Sequence, residues 1–301
     1  MKLFYHRDDR GNFGDDLNEW LWPKYIPDLA NYNKECSFVG IGTLINHKLP
    51  EGKKVIFGSG YGYGDVPQVD DSWDIVAVRG PKTAEILGVP PELALTDPAI
   101  LLGDCYEKPN TTDKKIGFIP HSLSCYYGDW QPIADSLGIE LIDPKLSVEE
   151  FLEKLSGCEK VICEAMHGAI AADALRIPWK PLVIYPFIFE FKWQDWTQSL
   201  NMNYNPLFID PIWDIQRHFS IKEHCTYTIK RILKSLGIWS SNFSELPEKR
   251  STHEAREKTQ NQLAELVNSP NEYYLSDDDI HNQRISQYKS LIDQFNQKQS
   301  V

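Results

Sequence analysis

The sequence predicts an α/β protein: two tandem Rossmann-like domains, each a parallel sheet covered by helices, followed by a helical extension. Three observations carry this. Short β-type runs alternate with helix-like stretches through about residue 240. Many of those runs are continuously apolar rather than alternating, as strands buried on both faces require. A polar, turn-rich stretch at 102–115, LGDCYEKPNTTDKK, then breaks the rhythm, which restarts after it. The expected division is therefore 1–110, 111–245 and a partly mobile 246–301, and 301 residues suffice for two cores. Tandem domains of this kind, with a cleft between them, have the layout of a GT-B glycosyltransferase.

The predicted strands lie at 2–6, 36–42, 54–60, 74–80, 93–98, 115–121, 139–143, 160–165 and 181–186. Helices are expected between them at 15–23, 81–88, 147–157 and 167–176. Pro81 suits a first helical turn, and Gly168, Ala169, Ala171 and Ala172 allow a helix to lie close on a sheet. From about 246 the chain turns polar and rich in Gln and Asn. There Ser276, followed by three aspartates, reads as a helix start. Ile285, Tyr288, Leu291, Ile292 and Phe295 then recur at helical spacing, so the helix should pack on the body or on a partner, with a frayed end.

Charge and composition exclude several classes. A net charge of −12 argues against a broad nucleic-acid surface, yet leaves room for a small anion held by a local donor cluster. No apolar run approaches the eighteen residues of a membrane span, and the first apolar run is too short for a secretory signal. The six cysteines, at 36, 105, 125, 158, 163 and 225, form no Cys-x-x-Cys pair or zinc spacing, and read as buried free thiols in a reducing compartment.

In open α/β sheets ligands lie beyond the carboxyl ends of the strands, so the residues there are the candidates. HRDDRGNFGDDLNEWLW, 6–22, lacks both the dinucleotide fingerprint and the P-loop pattern. Asp15 and Asp16 either cap the first helix or accept hydrogen bonds from sugar hydroxyls. FGSGYGYGDV, 57–66, is either a loop that covers a ligand, with tyrosines to stack on sugar faces, or an ordinary glycine-rich connection. Arg79, ending the fourth strand, either points into the cleft mouth to bind carboxylate or phosphate, or pairs with an acid such as Asp97. His121 follows the first strand of the second domain and is either a ligand contact or a loop hydrogen-bonder.

His167, in VICEAMHGAIAADALRIPW, stands at the mouth of a helix, where it either exchanges protons with a ligand or caps its own helix. The adjoining amides are within reach of an anion. The candidate catalytic residues are His167 and Arg79. The candidate substrate-binding residues are Asn12, Asp15, Asp16, Ser59, Gly60, Lys82, His121, Glu164, Met166 and Gly168.

Five stretches in this order, GNFGDD, AVRGPKTAEILG, LTDPAILL, IGFIPH and EAMHGAIAADALRIPW, resemble the polysaccharide pyruvyl transferase family. FKWQDWTQSLN, 191–201, resembles its subgroup of exopolysaccharide ketal-forming enzymes. The resemblance spans residues 1–240 and implies transfer of a pyruvyl group from phosphoenolpyruvate to two hydroxyls of a saccharide, giving a cyclic ketal and phosphate. It implies that His167 is the catalytic histidine, that His121 lies near the donor, and that Arg79 holds the donor phosphate or carboxylate. No metal or other cofactor is implied. The partners are the donor and a saccharide or lipid-linked oligosaccharide, the setting is cytoplasmic, and peripheral membrane association stays open.

Many members of that family carry an arginine two residues before the histidine, where this chain has Ala165. Arg176 is a poor substitute, because it lies nine residues on, about 13 Å along the helix axis and half a turn round. Arg7, Lys82 and Lys192 are the candidates for the missing charge. Two other functions fit a similar fold: a nucleotide-sugar glycosyltransferase, and a non-catalytic saccharide- or phosphate-binding protein.

Overall fold

A computed structural model describes residues 1–109, 114–214, 250–270 and 273–299, with scattered positions between 225 and 236. It contains two parallel sheets. The first joins β1 (Lys2–Phe4), β2 (Ser37–Val39), β3 (Lys54–Phe57) and β4 (Trp73–Ala77) in the order 1-2-3-4. The second is built from β5 (Lys115–Ile119), β6 (Glu140–Leu141), β7 (Cys158–Cys163), β8 (Trp179–Val183) and β9 (Leu207–Phe208), in the order 6-5-7-8-9. In that second sheet the chain steps out from β5 to β6, then returns past β5 to β7. The gap between the carboxyl ends of β5 and β7 is thus a topological switch point, where this class of sheet opens a crevice.

The helices are α1 (Phe13–Tyr25), α2 (Pro81–Leu87), α3 (Leu102–Cys105), α4 (Ser122–Tyr127), α5 (Gln131–Leu137), α6 (Val148–Ser156), α7 (Met166–Ala174), α8 (Glu190–Ser199), α9 (His253–Asn268) and α10 (Asp278–Gln299). Local chemistry explains several boundaries. Pro81 opens α2 and Gly88, at φ 65°, closes it in the left-handed conformation. Ser147 and Glu150 form a capping box at the head of α6. On α7, a β-carbon added to Gly168 would lie 2.8 Å from the Ile119 side chain, so glycine sets how closely this helix approaches β5.

Three expectations are corrected. The stretch 93–98 is not a full strand: it makes one isolated parallel bridge, Val78 to Ala94, between short 3-10 turns at Pro91–Leu93 and Pro98–Leu101, each beginning on a proline. Ser276 does not cap α10. Its backbone N–H and hydroxyl both donate to Asp173, and Asp277 accepts the Asp279 and Ile280 amides in its place. Cys225 is exposed, whereas the other five cysteines are free thiols that are buried or partly buried. The short β9 and the helices α4 and α5 had no period strong enough to announce them.

The extension packs on the body with both helices. Leu263 and Val267 of α9 join the core of the second sheet. Tyr288, Ile292 and Phe295 of α10 join the core beneath the first. Phe295 stands edge-on to Phe38 and Phe57, at 5.9 and 5.7 Å between ring centroids. The last residues, 300–301, lie outside the described residues, as do 246–249. No described helix is long and apolar enough to cross a membrane.

Candidate active site

Glu164 ties together the carboxyl ends of β5, β7 and β8. Its side chain is fully buried. One carboxylate oxygen accepts from the His121 amide (2.9 Å) and the Ser124 hydroxyl (2.5 Å), the other from the Ile184 (3.0 Å) and Tyr185 (3.3 Å) amides. Burial pushes its pKa up, and those donors hold it back. The expectation that Glu164 meets substrate is therefore corrected: its acceptor positions are occupied by the fold. Met166 likewise joins the core, 4% exposed, rather than lining a site.

His167 is the second residue of α7 and keeps 16% of its side chain open to solvent. Its Nε2 faces Asp97 Oδ2 at 3.6 Å. Asp97 is fully buried, and its other oxygen caps the turn at Pro98–Leu101 by accepting from the Ala99 amide at 3.0 Å. Both facing atoms, Asp97 Oδ2 and His167 Nε2, are buried with no hydrogen-bond partner among the described residues. Buried polar atoms are nearly always paired, and these two face each other just beyond hydrogen-bond distance. In unliganded sites such bonds are often long.

The opposite side of the imidazole rests on α1. A β-carbon at Gly14 would lie 2.1 Å from His167 Nδ1, so the second glycine of GNFG is demanded by the ring above it. The same loop docks on the second half through the Phe13 amide, which donates to Pro144 O (2.8 Å), and through Phe13 stacked on Phe151. Asn12 donates its amide N–H to Asp16 (3.0 Å) and its side chain to Asp15. Burial raises the pKa of Asp15, against the charges of His167, His6 and Lys192 nearby. Asp15 thus shares a microenvironment with the imidazole, while Asp16 folds the loop.

His121 caps α4 by accepting the Leu123 amide at Nδ1, 3.2 Å away. Burial, helped by the charge of Lys192, pushes its pKa down to about 3 and keeps the ring neutral. Lys192, on α8, lies near both Asp15 and His121 and donates to the Tyr63 hydroxyl at 3.0 Å. Tyr63 comes from the glycine-rich loop of the first half, is 46% exposed, and holds a left-handed backbone at φ 62°. Its ring packs 5.3 Å from Phe189 of the second half. Non-glycine residues in the left-handed region cluster at functional sites.

Arg79 corrects a central expectation. Its guanidinium is fully buried and does not open into the mouth. Nε donates to Asp195 Oδ2 at 3.0 Å, Nη1 to Thr43 Oγ1 at 2.8 Å and Nη2 to Tyr61 O at 3.3 Å. The pairing acid is Asp195, not Asp97, and Asp195 also accepts from the Thr83 amide and hydroxyl. Gly60 is part of this latch, since a β-carbon there would lie 2.2 Å from the Arg79 guanidinium carbon. Ser59 is fully buried and donates to Gly42 O at 3.0 Å, a structural duty. Lys82 donates to Gln194 and lies 5.2 Å over the Phe191 ring, joining α2 to α8.

The other proposed cations sort as plainly. Arg7 pairs with Glu19 on an exposed surface, and Arg176 is tied to Ser276 and Asp278. Of the predicted set, Asp15 lies near both His167 and Lys192 and His121 lies near Lys192, while Gly14 makes room for the His167 ring and Gly168 for the Ile119 side chain. Asp97 and Asp195 were missed in these roles. The Asp-Pro pair of LTDP signalled a cap, and nothing local revealed that the second carboxylate oxygen meets an imidazole.

The family model for "Polysaccharide pyruvyl transferase" matches residues 7–182. The succinoglycan biosynthesis protein ExoV of Rhizobium meliloti (strain 1021) is 42% identical over 211 residues, covering 68% of this chain and 67% of that protein. No solved structure gives a significant match.

Proposed function

This chain belongs to the polysaccharide pyruvyl transferase family, and from that premise we propose that its cleft moves a pyruvyl group from phosphoenolpyruvate onto two hydroxyls of a saccharide during exopolysaccharide biosynthesis. The observation that carries the reading is the His167–Asp97 pair, brought together from the two halves of the chain at the switch point of the second sheet. We take the two sheets as tandem domains arranged in the GT-B manner.

The reaction balances without an oxidant. The donor methylene gains a proton, and a sugar hydroxyl adds to the adjacent carbon as it loses its own. Phosphate then leaves, and the second hydroxyl closes the ketal. Of the two hydroxyl protons, one ends on the new methyl group and one on the phosphate.

His167 is the acid/base, a role worth about 10²–10⁴-fold. Asp97 orients the imidazole and steadies its protonated form. Lys192 supplies the mobile positive charge for the donor's phosphate or carboxylate, taking the part first read for Arg79 and replacing the family arginine at the Ala165 position. His121, kept neutral, offers a polar edge without a charge. Tyr63 and Phe189, one from each half, form an aromatic ledge suited to the apolar face of a sugar ring. No metal or further cofactor enters this scheme. An acceptor carried on lipid would bring the protein to the cytoplasmic face of a membrane.

Phosphate release from phosphoenolpyruvate, measured with a panel of saccharide acceptors, tests the proposal. Acceptor-dependent release, lost on His167→Ala, is the expected result. Turnover of a nucleotide sugar with no response to phosphoenolpyruvate would overturn it.

A further inference from the structure

We propose that Tyr288, on the C-terminal helix α10, is a positioning residue that holds Asp97 in line with His167. The inference rests on the reading of His167 as the acid/base, and it assigns a role to a segment beyond the matched residues 7–182.

Asp97 has one oxygen committed to the Ala99 amide. The direction of its other oxygen therefore follows the backbone at 96–98. Tyr288 fixes that backbone: its fully buried hydroxyl donates to Thr96 O at 2.6 Å. The Thr96 side chain is fixed as well, because its hydroxyl accepts from Ser199 at 2.9 Å. Ser199 O in turn accepts from Arg284 at 3.1 Å, one turn before Tyr288 on the same helix. There is no slack on the far side. A β-carbon at Gly58 would lie 2.3 Å from the Pro98 ring and 2.4 Å from the Tyr288 hydroxyl. Burial keeps the phenol protonated, so it remains a donor throughout the working pH range.

The helix that carries Tyr288 cannot drift, because Phe295 and Ile292 are buried in the core beneath the first sheet. The imidazole is equally confined, with Gly14 against its other nitrogen. The 3.6 Å separation between His167 and Asp97 is thus set by a helix that touches neither residue's reacting atoms. The charged groups facing His167 are Asp97 and Asp15, with His6 and Lys192 beside Asp15.

The test is Tyr288→Phe, which keeps the ring and removes the donor. The His167 titration is followed by NMR of histidine-labelled protein, with His167→Asn to assign the signal, alongside phosphate release from phosphoenolpyruvate. We expect the His167 midpoint to move measurably and kcat to fall about tenfold, with KM for phosphoenolpyruvate unchanged. Ser199→Ala should move the midpoint in the same direction by less, and serves if Tyr288→Phe does not fold. Phe295→Leu, which loosens the same helix but keeps the Tyr288 hydroxyl, should move the midpoint by less than Tyr288→Phe does. An unmoved midpoint in Tyr288→Phe or, failing that protein, in Ser199→Ala overturns the proposal, as does an equal movement in Phe295→Leu. Because the titration needs no substrate, a shifted midpoint in a protein that releases no phosphate would uphold the positioning role and reject only the pyruvyl-transfer assignment.

Discussion

The imidazole of His167 faces the carboxylate of Asp97 across 3.6 Å, each bearing a buried atom without a hydrogen-bond partner among the described residues. One belongs to the helix after β7, the other to the turn that precedes α3. A charge-holding partner behind a histidine is what acid/base chemistry asks for. His167→Ala should lower turnover at least about 10²-fold, and Asp97→Asn about tenfold or more, with thermal unfolding of the His167 variant little changed. Steady-state phosphate release and a melting curve check both halves of the statement.

Arg79 and Asp195 should behave as a structural latch. The pair is fully buried and joins β4's exit to α8. Removing either partner leaves an uncompensated charge inside, so Asp195→Ala should cost about 3–5 kcal/mol in denaturant unfolding. A stable Arg79→Met variant whose only defect is a raised KM for phosphoenolpyruvate would instead restore Arg79 as the anion clamp.

Lys192 should show the reverse pattern. Its ammonium is partly exposed and bonded to Tyr63. Lys192→Met is expected to raise KM for phosphoenolpyruvate about tenfold, with folding stability changed by less than about 1 kcal/mol. Titration of the variant with phosphoenolpyruvate, by calorimetry, separates a binding loss from a slower chemical step.

His121 gives the fold a dependence on acid. Its pKa falls from 6.5 to about 3 on folding, so the unfolded chain binds the proton more readily. The stabilisation is complete above the unfolded value of 6.5 and is lost as pH falls toward 3. Across that window this residue contributes a slope of at most about 1.4 kcal/mol per pH unit. Urea unfolding at a series of pH values should show a shallower acid slope in His121→Gln, and an identical slope in both proteins would exclude the effect.

Much of the fold was legible because burial on both faces leaves a mark that local sequence can carry. Continuous apolar runs announced β3, β5, β7 and β8, and small residues announced the close seat of α7 on the sheet. Where the sequence misled, a local feature was outweighed. LALTDP has strand-like residues, but the turn begun by Pro91 ends on its Leu93 and another begins at its Pro98, leaving room for a single bridge to Val78. Ser276 is a good cap by type, yet the buried carboxylate of Asp173 claims it.

The sequence by itself determined the α/β class and the histidine at a helix mouth beyond a strand end. It also carried, in Gly14, a requirement for close approach whose cause it did not disclose. Only the tertiary structure decided which acid answers which base. Arg79 meets Asp195 from 116 residues away, and His167, on the helix after β7, meets Asp97 from the turn that follows the first sheet. Such pairings depend on distance in space between groups that chain order does not link. A buried charge takes whichever partner the packed halves bring within reach, and no local pattern records that choice.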